Sequence, residues 1–239
     1  MSTAQRYFSQ IAMPQIGPFG QQKIQAASVL VIGAGGLGCP VLSYLAGLGV
    51  GRIGIMDNDT VALQNLHRQV LYTEAEIGRL KAVVAGERLL QQNSSLNINT
   101  YPYRLDAGNA IDTVKAYDVV IDCCDNVATR YVIDDSTKKL QIPFVYGAVK
   151  HMEGQVSVFN YKGGPCYRDL FADENAAAFE NDCSFAGIAG FVTGTVGSLQ
   201  VTEAMKIIVE HKQVLSGVVL CIDLEQQVFR KFKIRSVSM

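Results

Sequence analysis

The sequence has no surplus of charge of either sign: 21 Lys and Arg stand against 22 Asp and Glu, for a net charge of −1. Without a basic field to gather phosphate backbones, electrostatically driven nucleic-acid binding is excluded. Proline is scarce at 6 residues, glycine stands at 22 of 239, and charged residues make up 18% against 49% hydrophobic. That balance excludes a disordered, collagenous or coiled-coil chain. Internal repeats, low-complexity tracts and Pro-rich linkers are lacking as well. No secretory signal opens the sequence, and its six cysteines (Cys39, Cys123, Cys124, Cys166, Cys183, Cys221) are scattered, so a reducing cytoplasm is the expected compartment.

One stretch imitates a membrane span. Ser28 to Gly51 holds 24 residues without a formal charge, against the roughly 20 that cross a bilayer. Seven of them are glycine, and a buried strand, a glycine turn and a buried helix give the same apolar run, so no membrane segment is expected.

The pattern reads as alternating strands and helices. Ser28–Ile32 is a β-branched strand ending at glycines, and 39–48 a small-residue helix; 53–56 and 78–90 repeat the unit. Residues 98–103 read as a third strand, 110–116 as a helix, 117–123 as a fourth strand, 129–140 as a helix and 144–149 as a fifth strand. From 154 the alternation of Val156, Val158 and Tyr161 is that of an antiparallel strand, and after a helix at 191–210 the segments 218–223 and 227–234 read as a closing hairpin. The predicted class is α/β: a Rossmann-like, doubly wound, mainly parallel sheet with antiparallel strands added in the C-terminal half. A single domain is expected over 1–239, with an N-terminal helical segment at 1–26, a nucleotide-binding part at 27–150, and an antiparallel extension at 151–239. That extension carries a mobile crossover loop at about 163–186.

Chemistry concentrates at the strand ends. Gly33-Ala34-Gly35-Gly36-Leu37-Gly38 is a G-x-G-x-x-G run between a strand and a helix, with Asp57 nineteen residues past Gly38. Glycines let phosphates approach the backbone N–H groups at a helix start, and a carboxylate ending the second strand bonds ribose hydroxyls. The run alone does not separate NAD from ATP. Cations following it, Arg68 in Asn65-Leu66-His67-Arg68-Gln69 and Lys81 at the next helix, suit a triphosphate and a departing pyrophosphate; a solvated helical face is the alternative. Asp125 and Asn126 end the fourth strand, where a carboxylate serves Mg²⁺ against phosphate oxygens or the pair simply caps the next helix. Cys39, Cys123, Cys124 and Cys221 read as core, and no histidine is given a catalytic role.

With GAGGLGCP, the D-x-D-x-V-x-x-x-N-L-x-R-Q run, the CDN strand end and GxVGSLQxxEAMK at Gly194–Lys206, the chain resembles the ThiF/MoeB/HesA family, bacterial relatives of ubiquitin-activating enzymes, from about Arg6 to Ile234. The resemblance implies an ATP-dependent adenylyltransferase. Its substrate would be the C-terminal Gly-Gly carboxylate of a small ubiquitin-like, ThiS/MoaD-like sulfur carrier, and the enzyme would be a homodimer. Carried over, Asp57 takes the ribose, Asn65, Arg68 and Lys81 the phosphates, and Asp125 the magnesium. The full expected nucleotide set is Gly33, Gly35, Gly36, Gly38, Asp57, Asp59, Asn65, Arg68, Gln69, Lys81, Asp125 and Asn126, and the catalytic set is Arg68, Lys81, Asp125 and Cys183. Alternatives are a non-catalytic scaffold that binds a carrier or partner, an enzyme adenylating a peptide terminus, and an NAD-dependent oxidoreductase resting on the glycine run alone.

Three departures bear on that reading. Where the family reads R-Y-x-R-Q, this chain has Arg6-Tyr7-Phe8-Ser9-Gln10; an arginine reaching a phosphoryl transition state is worth about 10³ to 10⁵ in rate elsewhere, and Ser9 cannot supply it, whereas Arg6 is a candidate substitute. Cys183 stands where some relatives use a cysteine to bond the carrier, a role that needs a depressed pKa. Cys166-Tyr167-Arg168-Asp169 keeps one cysteine of the family's two C-x-x-C pairs, too few for a four-ligand structural zinc. Metal analysis of the purified protein is accordingly expected to find no zinc; one zinc per chain would overturn that expectation.

Overall fold

The computed structural model describes residues 3–172 and 187–234. Its eight strands make one sheet in the order β3-β2-β1-β4-β5-β6-β7-β8. The apolar strand β1 (Ser28–Ile32) lies between β2 (Arg52–Met56) and β4 (Val119–Asp122), parallel to both, with Ile32 opposite Met56 and Asp122. β3 (Asn97–Tyr101) extends the parallel part beyond β2 and β5 (Phe144–Lys150) beyond β4. Strand order therefore reverses between β1 and β4, and ligands of open α/β sheets bind outside the carboxyl ends of strands at such a switch point.

Beyond β5 the chain doubles back. A turn at His151 (φ 53°) pairs Lys150 with Glu153 and sends β6 (Glu153–Phe159) antiparallel; β7 (Val218–Asp223) and β8 (Val228–Lys233) continue the meander to the edge. The mainly parallel sheet with antiparallel strands in the C-terminal half thus stands as read from the sequence.

Side-chain alternation assigns each face its own core. Val29, Val31, Ile53, Ile55 and Ile121 join the cluster under α4 (Gly38–Leu48), α5 (Lys81–Gln92) and α9 (Gly190–Ile208). Leu30, Ile32, Val120, Phe144 and Tyr146 join the other, with α6 (Ala110–Val114), α7 (Val127–Leu140) and α8 (Tyr167–Leu170). At about 25 cal/mol per Å² of apolar surface, two such clusters supply the main driving force for folding. The motif on α9 is largely structural. A Cβ at Gly197 would overlap Pro40 and the Leu37 carbonyl; buried Glu203 pairs with Lys206 and accepts the Leu215 N–H, while Lys206 donates to the Gln213 carbonyl.

Boundaries moved where local chemistry intervened. β3 stops at Tyr101 because Pro102 has no N–H to give a ladder. α5 starts at Lys81 and not at Gly78, whose φ of 85° is not helical. The leading segment is three short helices, α1 (Thr3–Arg6), α2 (Phe8–Ile11) and α3 (Gly17–Ala26), the last with proline in its first turn. The expected loose crossover is also ordered at its start: Asp134 of α7 accepts the Tyr167 and Arg168 N–H groups and pins α8. No described helix is long and apolar enough to cross a membrane.

Candidate nucleotide-binding site

A cleft of about 1320 Å³ opens at the carboxyl ends of β1, β2 and β4 and runs on across β5 to β8. Its floor at the β1 and β2 end is the glycine loop. At Gly33 (φ 97°) a Cβ would overlap the Cys123 carbonyl, and at Gly38 one would overlap the Gly33 carbonyl, so this loop and the end of β4 touch backbone to backbone. Gly33, Gly35 and Gly36 line the cleft; Gly38 is buried at the first turn of α4 and acts through packing.

Asp57, just past β2, bridges the two loops: its carboxylate accepts the Ala34 N–H at 2.7 Å and the Asp59 N–H at 2.8 Å. Burial raises its pKa above 3.8, opposed by those hydrogen bonds and by Lys81. Lys81 is 4% exposed and donates to Asp59 at 2.9 Å, so the solvated-face alternative for this lysine is excluded. Asp59 is therefore the partner of Lys81 in addition to lining the cleft.

Arg68 is held ready. Its guanidinium donates to Asn65 Oδ1 at 2.9 Å, to the Gln64 carbonyl at 3.4 Å and to His67 Nε2 at 3.3 Å. Asn65 thus orients Arg68, while Gln69, 3% exposed, lies beside Gly35 with its Oε1 lacking a hydrogen-bond partner.

At the far wall Asp125 is exposed. Asn126 is the N-cap of α7, its Oδ1 accepting the Thr129 N–H at 2.9 Å and a bond from Arg104 at 3.1 Å, so the helix-cap alternative holds for Asn126 while it also lines the cleft. Among the described residues no group of three or more His, Cys, Asp or Glu is placed to hold a metal. Asp125 is thus a lone carboxylate lining the same cleft as Arg68 and Lys81, a donor set compatible with magnesium's habit of taking one or two carboxylates and not with an all-protein cage.

Burial raises the thiol pKa values of Cys123 and Cys124 well above the ordinary range and pushes Cys39 up to about 12; these are packing residues. Cys221 departs from its core reading, being half-buried on the cleft wall. Cys183 lies outside the described residues. Arg6 donates to the Gln92 carbonyl at 3.3 Å, at the opposite end of α5 from Lys81, roughly 17 Å of helix away, so within its own chain it does not stand in for the missing arginine.

Sequence reading missed Arg130, Arg104, Gln200 and the Asp122 that ends β4. A signal was present: an aspartate in the apolar strand VVID has to be paired, and Arg130 lies one helix turn into α7.

The ThiF family model matches residues 7–238, and the chain belongs to the ThiF family. It is 47% identical over 230 residues to "Adenylyltransferase and sulfurtransferase MOCS3" of Anopheles gambiae, covering 96% of this chain and 52% of that protein. With "Sulfur carrier protein adenylyltransferase" of Thermus thermophilus it shares 43% identity over 235 residues, covering 96% and 87%. The chain spans about half the length of the MOCS3 proteins it matches. The crystal structure of E. coli MccB with MccA-N7isoASN superposes with a TM-score of 0.85 at 20% identity, over 99% of this chain and 73% of that one, a likeness of fold.

Because native Asp57 binds its proton more tightly than the unfolded chain does, its contribution to stability falls as pH rises from 3.8 through the raised value. Asp57→Asn is expected to remove that fall in denaturant titrations and to weaken ATP binding at least about tenfold, since a hydrogen bond to a charged group is worth about 1.5–3 kcal/mol. Wild-type affinity in calorimetry would contradict the ribose role.

Proposed function

We propose that this chain is an ATP-dependent adenylyltransferase that activates the C-terminal carboxylate of a small ubiquitin-like sulfur carrier ending in Gly-Gly, working as a cytoplasmic homodimer. The single observation carrying the reading is the buried Lys81, which with Arg68 and Asp125 lines one glycine-loop cleft. A hydride-transfer site has no use for that arrangement. The names of the relatives, adenylyltransferases for sulfur carriers or molybdopterin synthase, support the same activity.

In this reading Asp57 holds the ribose, and Arg68 and Lys81 neutralise the phosphates. Mg²⁺, held by Asp125 and phosphate oxygens, would add further charge neutralisation. The carrier's carboxylate oxygen attacks the α-phosphorus; the bond from that phosphorus to the bridging oxygen breaks, and pyrophosphate leaves with the electron pair. No proton moves, so no general base is required, and positioning with electrostatic stabilisation carries the catalysis. The cleft exceeds the roughly 300–1000 Å³ of a usual small-molecule pocket, and its extension along β5 to β8 past Lys150, Gln155 and Arg230 is the room we assign to the carrier tail.

The test is carrier-dependent exchange of labelled pyrophosphate into ATP. Wild-type protein is expected to exchange, and Lys81→Ala to lose at least about a hundredfold, since fixed charges of this kind are worth about 2.7–4 kcal/mol; a matched carrier giving no exchange would point instead to a carrier-binding scaffold. For Cys183 we propose that its thiolate attacks the acyl carbon of the carrier adenylate, forming a thioester as the bond to the phosphate oxygen breaks and AMP leaves; a Cys183→Ser protein passing sulfur to the carrier at the wild-type rate would sink that role.

A further inference from the structure

Of the groups lining the cleft, Arg130 is the one whose cost is hardest to explain by stability. It is 4% exposed, and its partner Asp122 is fully buried. The Nε–Oδ2 bond between them is 2.9 Å, yet taking two charges out of water is expensive enough that an apolar pair of the same volume is often equally stable. What the pair does supply is geometry. Arg130 Nη2 donates to the Cys124 carbonyl at 3.0 Å and to the Gly147 carbonyl of β5 at 3.3 Å. Asp122 Oδ1 accepts the Cys124 N–H at 2.9 Å. Both backbone polar groups of Cys124, the residue immediately before Asp125, are thereby taken up by one ion pair.

A second clamp arrives from the opposite face. Gln200 of α9, with no exposure, donates to the Asp122 carbonyl at 2.6 Å, and its Oε1 accepts the Cys123 thiol at 3.8 Å. Gly147 is required there, because a Cβ would overlap the Gln200 carboxamide. The end of β4 is thus gripped from α7 below, α9 above and β5 alongside.

We propose that Arg130 and Gln200 are positioning residues of the nucleotide site: by clamping Asp122 to Cys124 from both faces of the sheet they fix where Asp125 presents its carboxylate. The assignment rests on the nucleotide reading above. A planar guanidinium fork can reach a carboxylate and two carbonyls at once; an ammonium is a point charge and cannot reproduce that fork.

Arg130→Lys keeps the charge opposite Asp122 and removes the fork, while Asp122→Asn with Arg130→Gln removes both charges and leaves no buried charge alone. The measurement is Mn²⁺ affinity by electron paramagnetic resonance in the presence of ATP, beside metal-free ATP affinity by calorimetry. Both variants are expected to lose at least about tenfold in Mn²⁺ affinity of the ATP complex, a larger loss than any in metal-free ATP affinity. A folded variant of either kind that binds Mn²⁺ as wild type does would overturn the positioning role. Unfolding of both variants would also overturn it, leaving the pair purely structural. Wild-type protein that binds no ATP, with or without Mn²⁺, would overturn the nucleotide reading itself.

Discussion

Everything in this molecule turns on a backbone contact, the approach of Gly33 to the Cys123 carbonyl where β1 and β4 end side by side. No side chain fits between those strands, so the glycine loop and the β4 turn share one rigid floor. Asp57 ties the second strand to it through the Ala34 N–H, and the Asp122–Arg130 pair ties in β5 through the Gly147 carbonyl. A cleft built on backbone contacts loses little order when a ligand arrives, the condition under which fixed charges act most strongly.

The cations owe their placement to the same economy of motion. Lys81 is buried against Asp59 and Arg68 is restrained by Asn65, Gln64 and His67, so each is oriented before any phosphate is present. Pairing with Asp59 and carbonyl groups is what makes such burial tolerable. An incoming polyphosphate would exchange these acceptors for stronger charged ones.

The fold was legible because its signals are local. A β-branched run such as Ser28–Ile32 flanked by glycines reads as a buried strand, and the loss of helical spacing after residue 150 marks the switch to antiparallel pairing. What stayed hidden needed partners distant in sequence. For Lys81 the sequence leaves a phosphate-holding cation and a solvated surface charge both open, and its burial depends on Asp59, twenty-two positions earlier. Arg130 and Gln200, seventy residues apart, both reach Asp122 because α7 and α9 cover opposite faces of one sheet. The short helix α8, pinned to Asp134, lay in a stretch whose glycines and proline suggested a loop. The candidate nucleotide side chains at strand ends, Asp57 and Asp125, are legible by motif; Arg130 and Gln200, which hold one of those ends in place, are not.

The central claim is that the cleft is built for a magnesium nucleoside triphosphate and not for a nicotinamide dinucleotide. Calorimetric titration of the purified chain with Mg·ATP and, separately, with NAD⁺ and NADH tests it without knowledge of the carrier. The account predicts saturable binding of Mg·ATP and none of the nicotinamide nucleotides. Binding of NAD⁺ or NADH in place of Mg·ATP would contradict it.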